Sequence, residues 1–90
     1  MKLGTAKFYN KLGNKDKTKK VKCRIEEPSI QAKSWYQMNT NRNLTKIIIV
    51  HGNAEDYEEF DSIMINNSKT YYIIGYSIVG TRRVRLEVGS

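Results

Sequence analysis

The stretch DSIMINNSKTYYIIGYSIVGTRRVRLEV, residues 61–88, decides the fold. Apolar and polar residues alternate in three short segments, which an Asn-Asn pair at 66–67 and a Gly-Thr pair at 80–81 separate. Turn residues between alternating segments predict a β-meander of three antiparallel strands. The last segment predicts one buried face and a well-specified register, because charged residues alternate with Val84, Leu86 and Val88.

Three further strands are expected before this meander. Residues 5–12 alternate weakly, which predicts an edge strand or an ordered N-terminal arm. Residues 21–26 alternate cleanly, and we expect Cys23 on the apolar face to act as a small buried hydrophobe. Residues 44–51 include four consecutive β-branched side chains, typical of a strand buried on both faces. The sequence therefore predicts an all-β fold, a small antiparallel β-barrel or sandwich of five to six strands.

One domain of three parts is expected. Residues 1–20 are predicted to form a basic N-terminal strand or arm and its loop, and residues 44–88 the main sheet. The strand over residues 21–26 is expected to end before Pro28, because proline has no backbone N–H to donate to a neighbouring strand. The asparagine-rich segment 28–43 is predicted to be a long loop with at most a short helical turn near residues 31–36. Long loops in small domains are frequently functional.

The formal net charge of +7 is unevenly distributed along the chain. Nine of the sixteen Lys and Arg residues precede residue 25, where Asp16 is the one acidic residue. Four carboxylates then cluster within residues 55–59. This separation of charge suits contact with nucleic acid or with a complementary protein surface. The alternative is that the lysines keep a small β protein soluble and protect its strand edges.

The sequence offers little chemistry for catalysis. Its one histidine, His51, and its one cysteine, Cys23, lie on different predicted strands. It has no glycine-rich phosphate loop and no cysteine pair with zinc spacing. We therefore expect no enzyme activity, no metal and no cofactor. The longest apolar run, residues 47–50, is far too short to span a membrane, and nothing resembles a signal peptide, so we expect a soluble intracellular protein without membrane contact.

Residues 45–88 resemble the head-closure, or head–tail connector, proteins of long-tailed, siphovirus-type bacteriophages and related prophages. The resemblance covers about half of the chain and rests on the order of five motifs: Thr45-Lys46-Ile47-Ile48-Ile49, Phe60-Asp61-Ser62-Ile63, Asn66-Asn67, Tyr72-Ile73-Ile74 and Arg82-Arg83-Val84-Arg85-Leu86. It implies a structural β-barrel subunit that assembles into a ring beneath the portal and adaptor rings. Such a ring closes the DNA exit channel and provides a platform for the tail.

The same resemblance implies partners and a location. The partners are the portal, adaptor and tail-completion proteins and further copies of the chain in a homo-oligomeric ring. The location is the host cytoplasm during assembly and then the virion. The resemblance also implies that the loop at 28–43 points toward the channel, with these candidate channel-loop residues: Gln31, Lys33, Trp35, Tyr36 and Arg42.

The charge distribution gives two more groups of candidate contact residues. A basic group, facing DNA or another subunit, consists of Lys15, Lys17, Lys19, Lys20, Lys22 and Arg24. A complementary interface consists of Glu55, Asp56, Tyr57, Glu58 and Glu59. We expect the basic group of one subunit to face the acidic group of its neighbour in a ring.

A second function is also compatible with the sequence: a small basic β-barrel that binds nucleic acid non-specifically. Lysines would neutralise phosphates while aromatic side chains stack on bases. The tyrosines at 71–72 must point to opposite faces of their strand, so the aromatic residues do not all share one platform.

Overall fold

The computed structural model describes residues 2–10 and 15–89, with side chains described for residues 2–10 and 18–89. The elements are β1 (Lys2–Asn10), β2 (Lys15–Glu26), α1 (Ile30–Thr40), β3 (Leu44–His51), a 3-10 turn (Ala54–Asp56), β4 (Ser62–Ile65), β5 (Thr70–Ile78) and β6 (Arg83–Gly89). All six strands form one closed antiparallel barrel in the order β1-β2-β3-β6-β5-β4. The prediction of an all-β fold with five to six strands is therefore confirmed.

The predicted meander is present as β4, β5 and β6. At its first turn Asn66 and Asn67 both have positive φ, 51° and 53°, a conformation that asparagine tolerates better than most residues. The Ser68 N–H donates to the Ile65 carbonyl at 3.0 Å and closes this turn. In β6 the apolar residues at 84, 86 and 88 are buried while the charged residues between them are not. The alternating pattern thus specified the buried face of β6 correctly.

Strand β1 is a central strand, so its prediction as an edge strand or arm was wrong. It pairs with β2 on one side and with β4 on the other, where Phe8 lies opposite Ile63. Asn66 fixes this join: its N–H donates to the Thr5 carbonyl, and its side-chain oxygen accepts the Thr5 N–H, both at 2.9 Å. The sequence signal was weak because much of β1 is small or polar.

The lysine-rich segment at 15–20, predicted to be a loop, is the first half of β2. It pairs along β1, with Lys19 opposite Phe8 and Lys20 opposite Lys7. Backbone pairing with β1 holds this segment extended despite its charge. Lysine tolerates such a position because its ammonium group reaches water while its stem lies along the strand.

The prediction of a long loop over residues 28–43 is corrected by α1, which fills eleven of these positions. The Ser29 hydroxyl accepts the Ala32 N–H at 3.1 Å and caps the first turn. Asn41 ends the helix in the left-handed conformation, with φ 56°. Ordinary helix formers lie between these caps, but the apolar residues lack a regular helical period. The sequence therefore lacked the signal by which helices are usually recognised.

Three aromatic rings close one end of the barrel core. The ring centroid of Phe8 lies 4.9 Å from that of Tyr57 and 5.6 Å from that of Phe60. All three rings are buried, as is Cys23. The interpretation of Cys23 as a small buried core residue is confirmed.

The run of β-branched residues in β3 is buried on both of its faces for part of its length. Ile48 and Val50 point into the barrel, opposite Leu86 and Val84 of β6. Ile47 points outward and is also buried, on the strand that α1 contacts. Helix α1 therefore covers the outer face of β3, which the run of β-branched residues predicted to be buried.

The packing of the barrel core predicts that an Ile→Ala substitution changes the free energy of unfolding much more at a buried position than at an exposed one. Ile48 is fully buried, whereas Ile30 on α1 is 82% exposed. We expect Ile48→Ala to lower the free energy of unfolding by about 3 kcal/mol, since it leaves a cavity. The matched control Ile30→Ala is expected to change it by less than about 0.5 kcal/mol. Urea denaturation measures both, and equal losses would contradict this assignment of the core.

Candidate interaction surfaces

Helix α1 lies on the outside of the barrel and contacts it through one narrow side. None of its eleven residues, all of which the structure describes, is fully buried, and Ala32 and Tyr36 are the two that are partly covered. The Tyr36 hydroxyl donates a hydrogen bond to the Glu87 carboxylate on β6. Gly75 on β5 makes room for this contact, because a Cβ there would lie 2.7 Å from the Tyr36 hydroxyl oxygen. The helix is thus anchored mainly by one tyrosine.

The opposite side of α1 presents three large apolar side chains to solvent. Ile30 and Met38 are 82% and 84% exposed, and Trp35 is 56% exposed. At about 100° per residue, the centre of this group lies about 150° around the helix from the midpoint of Ala32 and Tyr36. We call these three residues the apolar arc. The apolar arc points away from the barrel, and its side chains do not pack in the barrel core.

A second exposed apolar region lies at the end of β5. Among the described residues, β4 pairs with β5 from Thr70 to Tyr72, whereas β6 continues to Ile78. Tyr76 and Ile78 lie opposite the inward-facing Leu86 and Val84, yet both are exposed. The barrel wall is therefore incomplete beside the second half of β5.

The basic group lies along β2, and its members have different surroundings. The backbones of Lys15 and Lys17 belong to β2, but their side chains lie outside the described part of the structure. Lys19 is partly buried, with its ammonium 4.7 Å from the ring centroid of Tyr57 in the same chain. Lys20 and Lys22 are exposed, and Arg24 is partly buried.

The acidic group surrounds the 3-10 turn that follows β3. Glu55, Asp56, Glu58 and Glu59 are exposed. Tyr57 is only 3% exposed, so its side chain belongs to the core and does not share the surface of the four carboxylates. Its hydroxyl donates to the His51 carbonyl at 2.6 Å, and burial, with a smaller effect of Asp56, raises the pKa of Tyr57. The Lys19 contact shows that the basic and acidic segments already meet within one chain.

The five candidate channel-loop residues lie on or just after α1. Gln31, Lys33, Trp35 and Arg42 are exposed, and Tyr36 faces the barrel. They do not form a flexible loop, because the first four of them belong to one helix. Tyr36 is a packing residue of that helix rather than a contact for a ligand.

A cationic surface on the barrel wall was only partly predicted from the sequence. We define the cationic wall by the outward-facing basic side chains of β2, β3 and β6: Lys22, Arg24, His51, Arg83 and Arg85. Arg24 lies opposite Ile49, and Ile49 lies opposite Arg85. The sequence showed the alternating arginines of β6, but their position beside β2 depends on the strand order, which the sequence did not show.

The one histidine and the one cysteine of the chain lie near each other in the barrel. Cys23 and His51 line the same shallow cleft, but burial raises the pKa of the Cys23 thiol and so favours its unreactive protonated form. No cluster of three potential metal ligands occurs among the side chains of residues 2–10 and 18–89. Within the same described part, no helix has the length and apolar character needed to cross a membrane.

Comparisons with protein-family models, with curated proteins and with solved structures find no match to this chain. The resemblance to head–tail connector proteins therefore rests on the order of the five sequence motifs. The function has to be argued from the surfaces described above.

The anchor between α1 and the barrel gives a second prediction. Tyr36→Phe removes the donor to Glu87 while keeping the ring. Because hydrogen bonds to charged groups contribute more than neutral ones, we expect the free energy of unfolding to fall by about 1.5 kcal/mol. The matched control Tyr76→Phe changes an exposed tyrosine and is expected to cost less than about 0.5 kcal/mol. If chemical denaturation finds the two variants equally stable, Tyr36 is not the anchor.

Glu87 also predicts a pH dependence of stability. Burial raises the pKa of its carboxyl above the ordinary value of 4.5, so the folded protein binds this proton more tightly than the unfolded chain. The resulting contribution to stability is present below pH 4.5 and is lost as the pH rises through the raised pKa. We therefore subtract the free energy of unfolding of Glu87→Gln from that of the wild type. This difference should fall as the pH rises from 4.5 through the raised pKa of Glu87. A constant difference across a series of urea titrations would contradict the expectation.

Proposed function

We propose that this protein is a structural assembly subunit that forms part of the head–tail connector ring of a long-tailed bacteriophage. In this role the ring closes the DNA exit channel and provides a platform for the tail, in contact with portal, adaptor and tail-completion proteins. The proposal implies no enzyme activity. It places the protein in the host cytoplasm during assembly and in the virion afterwards.

The observation that carries this proposal is the apolar arc of α1. Ile30, Trp35 and Met38 are all more than half exposed and lie away from the barrel. Tryptophan and methionine are enriched in protein interfaces, and exposed groups of large apolar side chains commonly mark such interfaces. A helix attached to its own domain by little more than one tyrosine is well suited to be completed by another protein.

The two exposed apolar regions also suit the symmetry of a ring. A ring forms when one surface of a subunit binds a different surface of the next subunit and the rotation closes. The apolar arc of α1 and the exposed end of β5 are two different surfaces of this kind. The closed barrel agrees with the fold that the resemblance implies.

The presence of α1 changes which contact we assign to residues 28–43. The resemblance implies a loop directed at the DNA channel, whereas eleven of these residues are helical. We therefore assign the helix to contact between proteins. The expected pairing of the basic and acidic groups across subunits remains a prediction, although Lys19 faces Tyr57 of its own chain.

Non-specific nucleic-acid binding is the second candidate function, and one specific observation favours it. The cationic wall brings together basic side chains from three strands on one face of the barrel. This surface is separate from the apolar arc, so the two functions are compatible.

Charged substitutions on α1 test the assembly role. We expect the wild-type protein, mixed with portal assemblies of long-tailed phages, to add a ring that is visible by electron microscopy. The double variant Ile30→Glu, Met38→Glu is expected to add no ring, because two carboxylates would have to be buried at the interface. Analytical ultracentrifugation of each variant alone reports whether it is folded and monomeric.

The matched control is Ser68→Glu, Thr70→Glu, which makes the same change in charge at exposed polar positions in the turn between β4 and β5 and at the start of β5, outside the apolar arc. This variant should still add a ring. If it fails as completely as the apolar-arc variant, charge alone explains the loss. Absence of any ring with the wild type across several portal assemblies would contradict the proposed function.

A further inference from the structure

We propose that the cationic wall is a binding site for the phosphate backbone of nucleic acid. The site is formed where β2, β3 and β6 lie side by side on the outside of the barrel. It does not depend on ring formation or on the apolar arc, and it is a property of the single chain.

The strand register assembles this site from residues that are distant in sequence. Arg24 of β2 and Arg85 of β6 lie on either side of Ile49 of β3. One step further along the same strands, Lys22 and Arg83 lie on either side of His51, since Cys23 pairs with Val50 and His51 pairs with Arg83. Side chains two residues apart on a strand are about 7 Å apart, and alternate strands are about 10 Å apart. Four cations therefore occupy the corners of a small rectangle.

A shallow cleft adjoins this rectangle, and its lining includes Lys22, Arg24 and Arg83 but not Arg85. Its volume is about 200 Å³, and four basic side chains line it together with the aliphatic side chains of Leu3 and Ile49. No carboxylate belongs to its lining within the described part of the chain. The cleft therefore offers positive charge around an apolar floor, with no acidic side chain in its wall.

The cations of the wall form no ion pair with the acidic side chains that the structure describes, and this holds for Lys22, Arg24, Arg83 and Arg85 alike. The two nearest acids along the strands, Glu26 and Glu87, lie at the end next to α1, and Glu87 accepts the hydrogen bond from Tyr36. The Nε atom of Arg85 is buried without a hydrogen-bond partner, which is unusual for a native protein.

The composition of the wall favours phosphate over an acidic protein partner. Protein interfaces are enriched in aromatic residues and methionine as well as in arginine, and this chain exposes aromatic residues and methionine elsewhere, on α1 and at the end of β5. Apart from Cys23, the residues that line the cleft are basic or aliphatic. Protein–DNA interfaces are typically more positively charged than protein–protein ones, and arginine binds phosphate through two parallel hydrogen bonds. Since no Phe, Tyr or Trp side chain lines the described cleft, base stacking is not expected, and duplex DNA should bind without sequence preference.

Salt-dependent binding of the full chain to DNA tests the site. Fluorescence anisotropy with a random-sequence duplex should give a dissociation constant of about 10⁻⁴–10⁻⁶ M near physiological salt, the range of non-specific binding. The triple variant Lys22→Gln, Arg24→Gln, Arg83→Gln removes three corners of the rectangle and retains the partly buried Arg85. Each phosphate contact contributes about 0.9 to the slope of log K against log salt. The slope should therefore become shallower by about 2.7, with at least a hundredfold weaker binding at about 0.1 M salt.

The control variant Lys33→Gln, Arg42→Gln, Lys69→Gln removes the same charge from exposed positions outside the wall. It should change the affinity less than tenfold. Circular dichroism and urea denaturation establish that both variants are folded. If the wall variant unfolds, the double variant Lys22→Gln, Arg83→Gln takes its place, with an expected change in slope of about 1.8.

Three results would overturn the proposal. Equal losses in the wall variant and the control variant would show diffuse attraction by net charge. Binding of poly-glutamate as tightly as DNA would indicate an acidic protein partner. Absence of measurable DNA binding at low salt would exclude a phosphate site. None of these results bears on ring formation at a portal, so the two proposals fail independently.

Discussion

The join between β1 and β4 is the constraint on which the rest of the structure depends. Antiparallel pairing here turns an open sheet into a barrel and leaves neither strand as an edge. Asn66 reinforces the join, because it both donates to and accepts from the backbone of Thr5. The join also carries Phe8 into the core, where its ring meets those of Tyr57 and Phe60. In a domain this small, much of the core depends on that single closure.

Elements with a buried face were the ones that the sequence predicted. In β6 the alternation of Leu86 with charged neighbours specified both the strand and its inward face, because burial on one side leaves a period of two. Helix α1 lacked a corresponding signal, since it is attached mainly through Tyr36 and its large apolar residues face outward. The first half of β2 was missed for a different reason: pairing with β1 overrides the low strand propensity of a lysine-rich segment.

The interaction surfaces depend on strand order more than on local sequence. In the sequence, Lys22 and Arg24 belong to one basic group with the lysines that precede them. In the barrel their neighbours are instead Arg83 and Arg85, because β6 lies beside β3 rather than at the end of the sheet. Only the non-consecutive order β2-β3-β6 brings these side chains together. The same order separates the cationic wall from the apolar arc, so the protein presents two chemically different surfaces.

The place of β6 between β3 and β5 has a consequence for biosynthesis. β6 is synthesised after both of its neighbours, and until residue 89 emerges from the ribosome each of them has an unpaired side. A nascent chain cannot bury Leu86 or complete its core before that moment. We therefore expect the barrel to close only after β6 has emerged, with open apolar strands exposed to chaperones until then.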